Sequence, residues 1–237
     1  MTESWKQNLK EAAREDKIKI LSRFFKTGKG EYGEGDIFIG VVVPDNRAVA
    51  RRYHDAPASV IEAMLHSPVH EHRLSGLLAM VESYKKSKRD ENRRREIIEL
   101  YLANLTRANN WDLIDLSAPY LLGEWMLADT SAEETVRRLT RSDNLWEQRA
   151  AIVATMIPIR HGKCGLTLEI AEKYLTHTHP LIHKATGWML REAGKHVGKD
   201  VLTGFLDRHA TTMPRTMLRY AIERLSPEEK KHYMSIR

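Results

Sequence analysis

Apolar residues recur at three- and four-residue spacing along most of this chain, and that period is typical of packed helices. The spacing is clearest over residues 61–65, 74–81, 97–105 and 150–157. The one β-like run, IFIGVVV, ends at Pro44-Asp45-Asn46, and we interpret it as a loop that enters a helix from Asp45, which can act as the cap. The predicted fold class is therefore all-α.

Helix boundaries are signalled at intervals that indicate a repeating unit. Start signals occur at Ser67-Pro68, Ser131, Ser142-Asp143, Thr167, His179-Pro180, Pro214 and Ser226-Pro227. This cadence indicates helix pairs that repeat at roughly 40 residues, the period of HEAT-type units. We predict an α-solenoid of HEAT-like repeats that forms a single domain over residues 1–237 and presents a concave, basic face.

Composition and charge limit the classes of function. The 237 residues are 42% hydrophobic and 30% charged, which indicates a globular chain, and the net charge of +6 favours nucleic acid or another anionic surface as partner. Cys164 is the only cysteine, so a reducing compartment fits. The polar N-terminus is not a signal peptide, and the longest apolar stretch, at 150–159, is far shorter than the ~20 residues of a membrane helix. We expect a cytoplasmic protein without a membrane partner.

Trp111 and Asp115 in the motif NWDLID are spaced i, i+4, so on a helix they share a face. In a purely structural interpretation, Asn109 or Asn110 caps this helix, Asp112 favours its positive end and Trp111 belongs to the core. Asp115 fits that interpretation less well, because it lies beyond the reach of the helix dipole and has apolar neighbours. Both a structural and a functional role stay open for this pair.

A second motif, KATGWMLRE, combines an indole with cations. On a helix one stripe would contain Lys184, Trp188, Arg191 and Lys195. The apolar positions of this helix fall on a different side, at Leu181, Ala185 and Met189. Such a stripe suits contact with phosphate and sugar, and a solvated face with one half-buried indole is equally consistent with it.

Arg149 interrupts the apolar run LWEQRAAIVATMI. A buried arginine needs an anionic partner. A bound phosphate and an internal pair with the Asp or Glu of another repeat both satisfy that need.

Three further features favour structural interpretations. The run KKSKRDENRRR at residues 85–95 holds seven basic and two acidic residues and could grip phosphates, although a solvated turn is slightly favoured. His177, His179 and His183 lack the spacing of metal ligands, so we expect no metal. The glycine-rich segment from Gly28 to Gly40 lacks the spacing of a phosphate-binding loop and is better interpreted as a flexible connection.

At these same residues the sequence resembles the AlkD family, the alkylpurine DNA glycosylases of the HEAT-like-repeat type. NWDLIDLSAP, NLWEQRAAI and KATGWMLREAGK look like that family's three core blocks. FIGVVVPDNRAVAR, at residues 38–51, looks like its N-terminal F-x-G-V…P…R block. The likeness runs over most of the chain and in the expected order.

The resemblance implies a helical solenoid that holds duplex DNA and hydrolyses the N-glycosidic bond of positively charged N3- or N7-alkylated purines, leaving an abasic site. It implies that Asp115 is the catalytic carboxylate, that Trp111 and Trp188 border the deoxyribose of the lesion, and that Arg149 contacts the DNA backbone. It also suggests that the base is cleaved without being flipped into a pocket. We expect no cofactor and a monomer, with further phosphate contacts from Lys184, Arg191 and Lys195.

Two other classes of function remain open from the sequence. One is a non-catalytic HEAT-repeat protein that binds damaged or branched DNA, and Asp115 argues against it because a pure binder gains nothing from a carboxylate facing phosphates. The other is a helical scaffold for a protein partner, and the basic stripe around Trp188 argues against it.

Overall fold

The computed structural model of this protein describes residues 1–236. They pack as two compact units, of which the first is Met1–Ser117 and the second begins at Ala118. No β-strand occurs in these residues, and one isolated parallel bridge joins Ile37 to Val69. The predicted all-α class is confirmed, whereas the single domain and the concave face stay predictions.

The first unit is organised around one long buried helix. Its helices are α1 (Thr2–Glu11), α2 (Glu15–Phe24), α3 (Val43–Ala50), α4 (Ala58–Leu65), α5 (His70–Lys86), α6 (Glu91–Ala103) and α7 (Trp111–Asp115). Helix α5 packs against α1, α3, α4, α6 and α7, and 14 of its 17 residues are buried. Because α5 also begins with charged residues, its first turn needs buried partners for those charges.

The backbone of residues 39–41 binds to this first turn. The Glu71 carboxylate accepts hydrogen bonds from the backbone N–H groups of Ile39, Gly40 and Val41, at 2.8–3.2 Å. Gly40 has φ +89°, and a Cβ there would lie 2.1 Å from the carbonyl oxygen of Arg14. The glycine of the F-x-G-V block is therefore required by its backbone conformation and by close packing.

The predicted helix start at Asp45 is wrong. Helix α3 begins at Val43 with Val42 as its N-cap, and no side chain caps it. Pro44 lies in the first turn, where its fixed φ and missing N–H suit the helix. Asp45 instead accepts a hydrogen bond from the Arg14 guanidinium at 2.6 Å, so its carboxylate joins the N-terminal segment to α3.

The second unit is organised around another long helix. A π-helical turn, Pro119–Gly123, leads into α8 (Glu124–Ala128), followed by α9 (Ala132–Leu139), α10 (Leu145–Ala154), α11 (Met156–Arg160), α12 (Gly165–Lys173), α13 (Pro180–His196), α14 (Lys199–His209), α15 (Arg215–Ala221) and α16 (Pro227–Ser235). Helix α13 packs against α10, α11, α12, α14 and α15. Its close approach to α15 requires Gly187, since a Cβ there would lie 2.3 Å from the carbonyl oxygen of Met217.

Several predicted helix starts are confirmed. Helices begin directly after Ser131, His179, Pro214 and Ser226, and Ser226 forms a capping box with Glu229. Three are displaced by two residues: α5 begins at His70, α10 begins at Leu145 with Asn144 as its cap, and α12 begins at Gly165. None of the helices in residues 1–236 is long and apolar enough to cross a membrane.

Candidate functional site

Helix α7 presents Trp111 and Asp115 together. The Asn110 side chain caps the helix by accepting a hydrogen bond from the backbone N–H of Trp111 at 2.9 Å. The three residues between the pair are buried, whereas Trp111 and Asp115 are each partly exposed. The predicted i, i+4 pair therefore lies on one helix, and both of its members are partly accessible.

The Trp111 indole rests on a stack of aromatic rings. Its ring lies 5.2 Å from that of Phe25 at an interplanar angle of 27°, and the edge of Phe24 approaches it at 5.6 Å. Phe25 in turn stacks on Phe38 at 5.2 Å and contacts the ring of His70 at 4.9 Å. Trp111 is thus neither a core residue nor an unsupported surface ring, because one part of it is packed and another is partly exposed.

Asp115 exerts its charge on a buried hydroxyl. Burial is the main cause of the raised pKa of Tyr101, and the negative charge of Asp115 adds to it. The Tyr101 hydroxyl lies 2.9 Å from Ser117 Oγ. The Ser117 hydroxyl in turn donates a hydrogen bond to the carbonyl oxygen of Leu113 at 2.5 Å. A polar chain therefore lies close behind the carboxylate of Asp115 and ties α6 to the end of α7.

A buried ionic cluster lies next to this helix. His70 Nδ1 is 3.0 Å from one Asp36 carboxylate oxygen, His70 Nε2 is 2.9 Å from an oxygen of Asp112, and Arg73 donates to the second Asp36 oxygen at 2.5 Å. All four side chains are at most 5% exposed. We call Asp36, His70, Arg73 and Asp112 the ionic cluster.

The charges of the ionic cluster stabilise one another. Burial alone would lower the pKa of His70, but the carboxylates of Asp112 and Asp36 raise it to about 9. Burial alone would likewise raise the pKa of Asp36, but His70 and Arg73 hold it below its usual value. His70 is therefore a cation at neutral pH, and the cluster has two positive and two negative groups.

The sequence did not reveal the ionic cluster. Its partners are separated by 34 and 42 positions along the chain. The purely structural interpretation of NWDLID places Asp112 at the positive end of its helix, and Asp36 lies in the glycine-rich segment that we interpret as a flexible connection. A histidine and an arginine on an otherwise buried helix were the available signal, since each requires a partner.

The basic stripe in the second unit is partly neutralised. Trp188 on α13 is half-buried and Lys184 and Lys195 are exposed, while the apolar positions Leu181, Ala185 and Met189 are buried as predicted. Arg191 differs, because its side chain is only 15% exposed and pairs with Glu223 and, at 3.5 Å, with Glu192. The two lysines are thus the more accessible cations of this stripe.

Arg149 is buried inside the second unit, with 5% of its surface exposed. Its guanidinium donates to the carbonyl oxygen of Leu181 at 2.6 Å, which ties α10 to the first turn of α13. The pKa of His179 is lowered, mainly by burial and next by the charge of His183. The charge of Arg149 makes a smaller contribution in the same direction. Arg149 therefore has a packing contact in addition to any contact with DNA, and its role toward DNA stays a prediction.

The basic run at residues 85–95 has internal partners at several positions. Asp90 caps α6 by accepting from the backbone N–H of Arg93 at 2.9 Å. The Arg93 side chain pairs with Glu96 at 3.3 Å, and the Arg94 guanidinium lies 4.1 Å from the ring centre of Tyr84. These contacts favour the solvated turn for this part of the run.

The three neighbouring histidines also have structural contacts. His177 bonds to the side chain of Gln148 at 2.9 Å, His179 caps α13, and His183 bonds to the carbonyl of His177. No group of three or more His, Cys, Asp or Glu side chains in the described residues is arranged to hold a metal ion.

One family model matches nearly the whole chain. The family described as DNA alkylation repair enzyme matches residues 5–225. A solved structure described as "Predicted DNA alkylation repair enzyme from Enterococcus faecalis" superposes with a TM-score of 0.70 at 15% identity, covering 91% of this chain and 97% of that one. At that identity the superposition shows a shared fold alone. No match was found among curated proteins.

Proposed function

Because the chain belongs to the family of DNA alkylation repair enzymes, we propose that it is a monofunctional DNA glycosylase acting on positively charged N3- or N7-alkylated purines in duplex DNA. In this proposal Asp115 is the catalytic carboxylate and Trp111 lies against the deoxyribose of the lesion. The observation that carries it is the surface of α7, where Asp112, Leu113 and Ile114 are buried while Trp111 and Asp115 are partly exposed.

The positive charge of the damaged base explains why a carboxylate and an indole are enough to cleave its glycosidic bond in this proposal. Alkylation at N3 or N7 makes the purine cationic, and its departure as a neutral base needs no general acid. The sugar instead acquires positive charge, as in the oxocarbenium-like transition states of glycoside hydrolysis. A carboxylate beside C1′ stabilises that charge and orients the attacking water. An indole face adds an attraction of ~0.5–2 kcal/mol for a nearby cation.

The second unit supplies the remaining contacts in this proposal. Trp188 also borders the sugar, and it is half-buried among cations on α13. Lys184 and Lys195 contact backbone phosphates, since both are exposed and no ion pair ties either of them in residues 1–236. Arg191 contributes less, because Glu223 and Glu192 share its charge. Arg149 reaches the backbone only from a largely buried position.

Product analysis tests this function. A duplex with one N7-methylguanine is incubated with the protein, the free base is measured by mass spectrometry, and the strand is examined before and after alkali. We expect free N7-methylguanine and an intact strand that breaks only with alkali. No covalent adduct should form with borohydride, because no lysine accompanies Asp115 in its motif to form a Schiff base.

The unmodified duplex is the control, and it should release nothing. A borohydride-trapped adduct would contradict the monofunctional mechanism. Tight binding of the damaged duplex without base release would instead favour the non-catalytic alternative, a protein that recognises damaged or branched DNA.

A further inference from the structure

Helix α7 has only five residues, and so short a helix has little stability of its own. Contacts with neighbouring elements must therefore determine where Trp111 and Asp115 lie. Asp112, between them in the sequence, makes a buried polar contact with His70 of α5.

Asp112 is held by the first residue of α5. His70 Nε2 lies 2.9 Å from Asp112 Oδ2, with the two side chains 2% and 5% exposed. The other carboxylate oxygen of Asp112 has no hydrogen-bond partner in residues 1–236. Within the described chain, His70 is thus the group that compensates this buried charge.

His70 is held from its opposite side by Asp36. His70 Nδ1 lies 3.0 Å from Asp36 Oδ2, and the backbone N–H of His70 donates to the carbonyl of Ile37 at 2.8 Å. The same Asp36 oxygen is approached at 3.5 Å by the amide nitrogen of Asn110, which caps α7. Asp36 therefore contacts both His70 and the start of α7, which closes a loop of contacts around the helix.

The ring faces of His70 give a second connection to α7. His70 stacks on Phe38 at 4.5 Å and contacts Phe25 at 4.9 Å, and Phe25 also stacks on Trp111. One imidazole therefore reaches α7 by two routes, through the carboxylate of Asp112 and through the ring beneath Trp111.

We propose that His70 is a positioning residue for base excision: bridged as a cation between Asp36 and Asp112, it fixes α7 so that Trp111 and Asp115 keep the orientation in which they meet the damaged nucleotide. This inference rests on the proposed function. The charged groups that face His70 are the carboxylates of Asp36 and Asp112, with Arg73 beyond Asp36. Loss of the imidazolium charge would leave two buried carboxylates with one guanidinium, and α7 would lose its anchor.

The chain offers a matched control two residues further along α5. His72 is also buried, and its Nδ1 lies 2.9 Å from Ser67 Oγ. Its one side-chain hydrogen bond in the described residues is to Ser67, not to α7. His70→Gln and His72→Gln therefore remove comparable buried imidazoles from the same turn, and only the first removes the bridge.

The test combines a kinetic readout with one that is independent of activity. With enzyme in saturating excess, His70→Gln should release N7-methylguanine about 10- to 100-fold more slowly than wild type, as expected for a misplaced catalytic group. Its affinity for the same duplex should stay within about twofold, because phosphate contacts dominate affinity. The wild-type rate should fall as His70 loses its proton near pH 9, and His70→Gln should lack this alkaline decline. No-enzyme controls at each pH correct for spontaneous changes in the modified base.

Hydrogen exchange supplies the second readout. The backbone amides of residues 114–117 should exchange faster in His70→Gln than in wild type, with no such change in His72→Gln. Equal exchange and equal rate profiles in His70→Gln and wild type would overturn the proposal, as would identical effects of the two substitutions. If wild type releases no base but α7 loosens only in His70→Gln, the proposed function fails and the positioning role stands.

Discussion

The central helices of the two units, α5 and α13, have the same length of 17 residues. They differ in the exposure of several of their charged side chains. In α5 the charged residues of the first turn, His70, Glu71 and Arg73, are at most 2% exposed. In α13 the cations Lys184 and Lys195 are exposed. The charges in the first turn of α5 therefore act on the protein itself, whereas Lys184 and Lys195 of α13 face solvent.

The difference shows why net charge is a coarse guide to function. Each buried charge of α5 requires a partner from another segment, because an unpaired buried charge is costly. Asp36, Asp112 and three backbone N–H groups meet that requirement, and they fix the elements next to Trp111. The exposed lysines of α13 make no such demand on the fold, so substitutions there should change binding more than folding.

The largest expected difference is in the free energy of unfolding, between loss of a buried ion pair and loss of an exposed one. Asp36→Ala should lower the free energy of unfolding by about 3–5 kcal/mol, because His70 and Arg73 lose a buried counter-charge. Glu169→Ala, which removes a partner of Arg137 at 2.9 Å on the surface of the second unit, should cost less than about 1 kcal/mol. Urea denaturation measures both losses. Equal losses would contradict the claim that the buried charges contribute more to stability than the exposed ones.

The pH dependence of stability should be set by two histidines on α5. The raised pKa of His70, about 9, means that its contribution is complete below about pH 6.5 and is lost as the pH rises through 9. Burial lowers the pKa of His72 to about 4, so its contribution is complete above about pH 6.5 and is lost on acidification. We expect maximal stability of the first unit near pH 6.5.

Urea denaturation between pH 4 and pH 10 measures this profile. The alkaline loss should amount to roughly 3 kcal/mol at most, and it should be absent from His70→Gln. A wild-type profile that is flat from pH 6.5 to pH 10 would show that the His70 bridge does not depend on its charge.

A smaller effect is expected at the indole of α13. Trp188→Ala should reduce discrimination between damaged and undamaged duplex by about fivefold or more, while affinity for undamaged duplex changes by less than about twofold. The reason is that an aromatic surface against the lesion's sugar carries specificity, whereas phosphate contacts do not. Binding is measured on matched duplexes. If Trp188→Ala unfolds the protein and leaves the discrimination of the folded fraction unchanged, Trp188 is a packing residue.

The smallest effect separates the cations of the same helix. Lys184→Ala should weaken binding to damaged and undamaged duplexes equally and reduce the salt slope by about one. Arg191→Ala should reduce the slope less, because Glu223 and Glu192 already share its charge. Salt titrations of the two variants measure the difference, and a larger loss for Arg191→Ala would show that its ion pairs open on binding DNA.

Sequence patterns predicted the local features and missed the long-range ones. The helical period gave the all-α class, and the i, i+4 spacing correctly assigned Trp111 and Asp115 to one helix, because both depend on neighbouring residues. The bridge of His70 to Asp36 and Asp112 depends on tertiary packing between distant segments, and no local pattern encodes it. For the same reason the pairing of Arg191 with Glu223, 32 positions away, was not predicted.

The central claim, that Asp115 performs the chemistry, is tested most directly by the rate of base release from an N7-methylguanine duplex under saturating enzyme. Asp115→Asn should slow release by roughly 100- to 1,000-fold, the loss typical of one electrostatic stabiliser, with little change in DNA affinity. Asp55→Asn, at an exposed carboxylate of the same unit, should match wild type. Equal rates for Asp115→Asn and wild type would contradict the account and leave Asp115 as a residue of the helix alone.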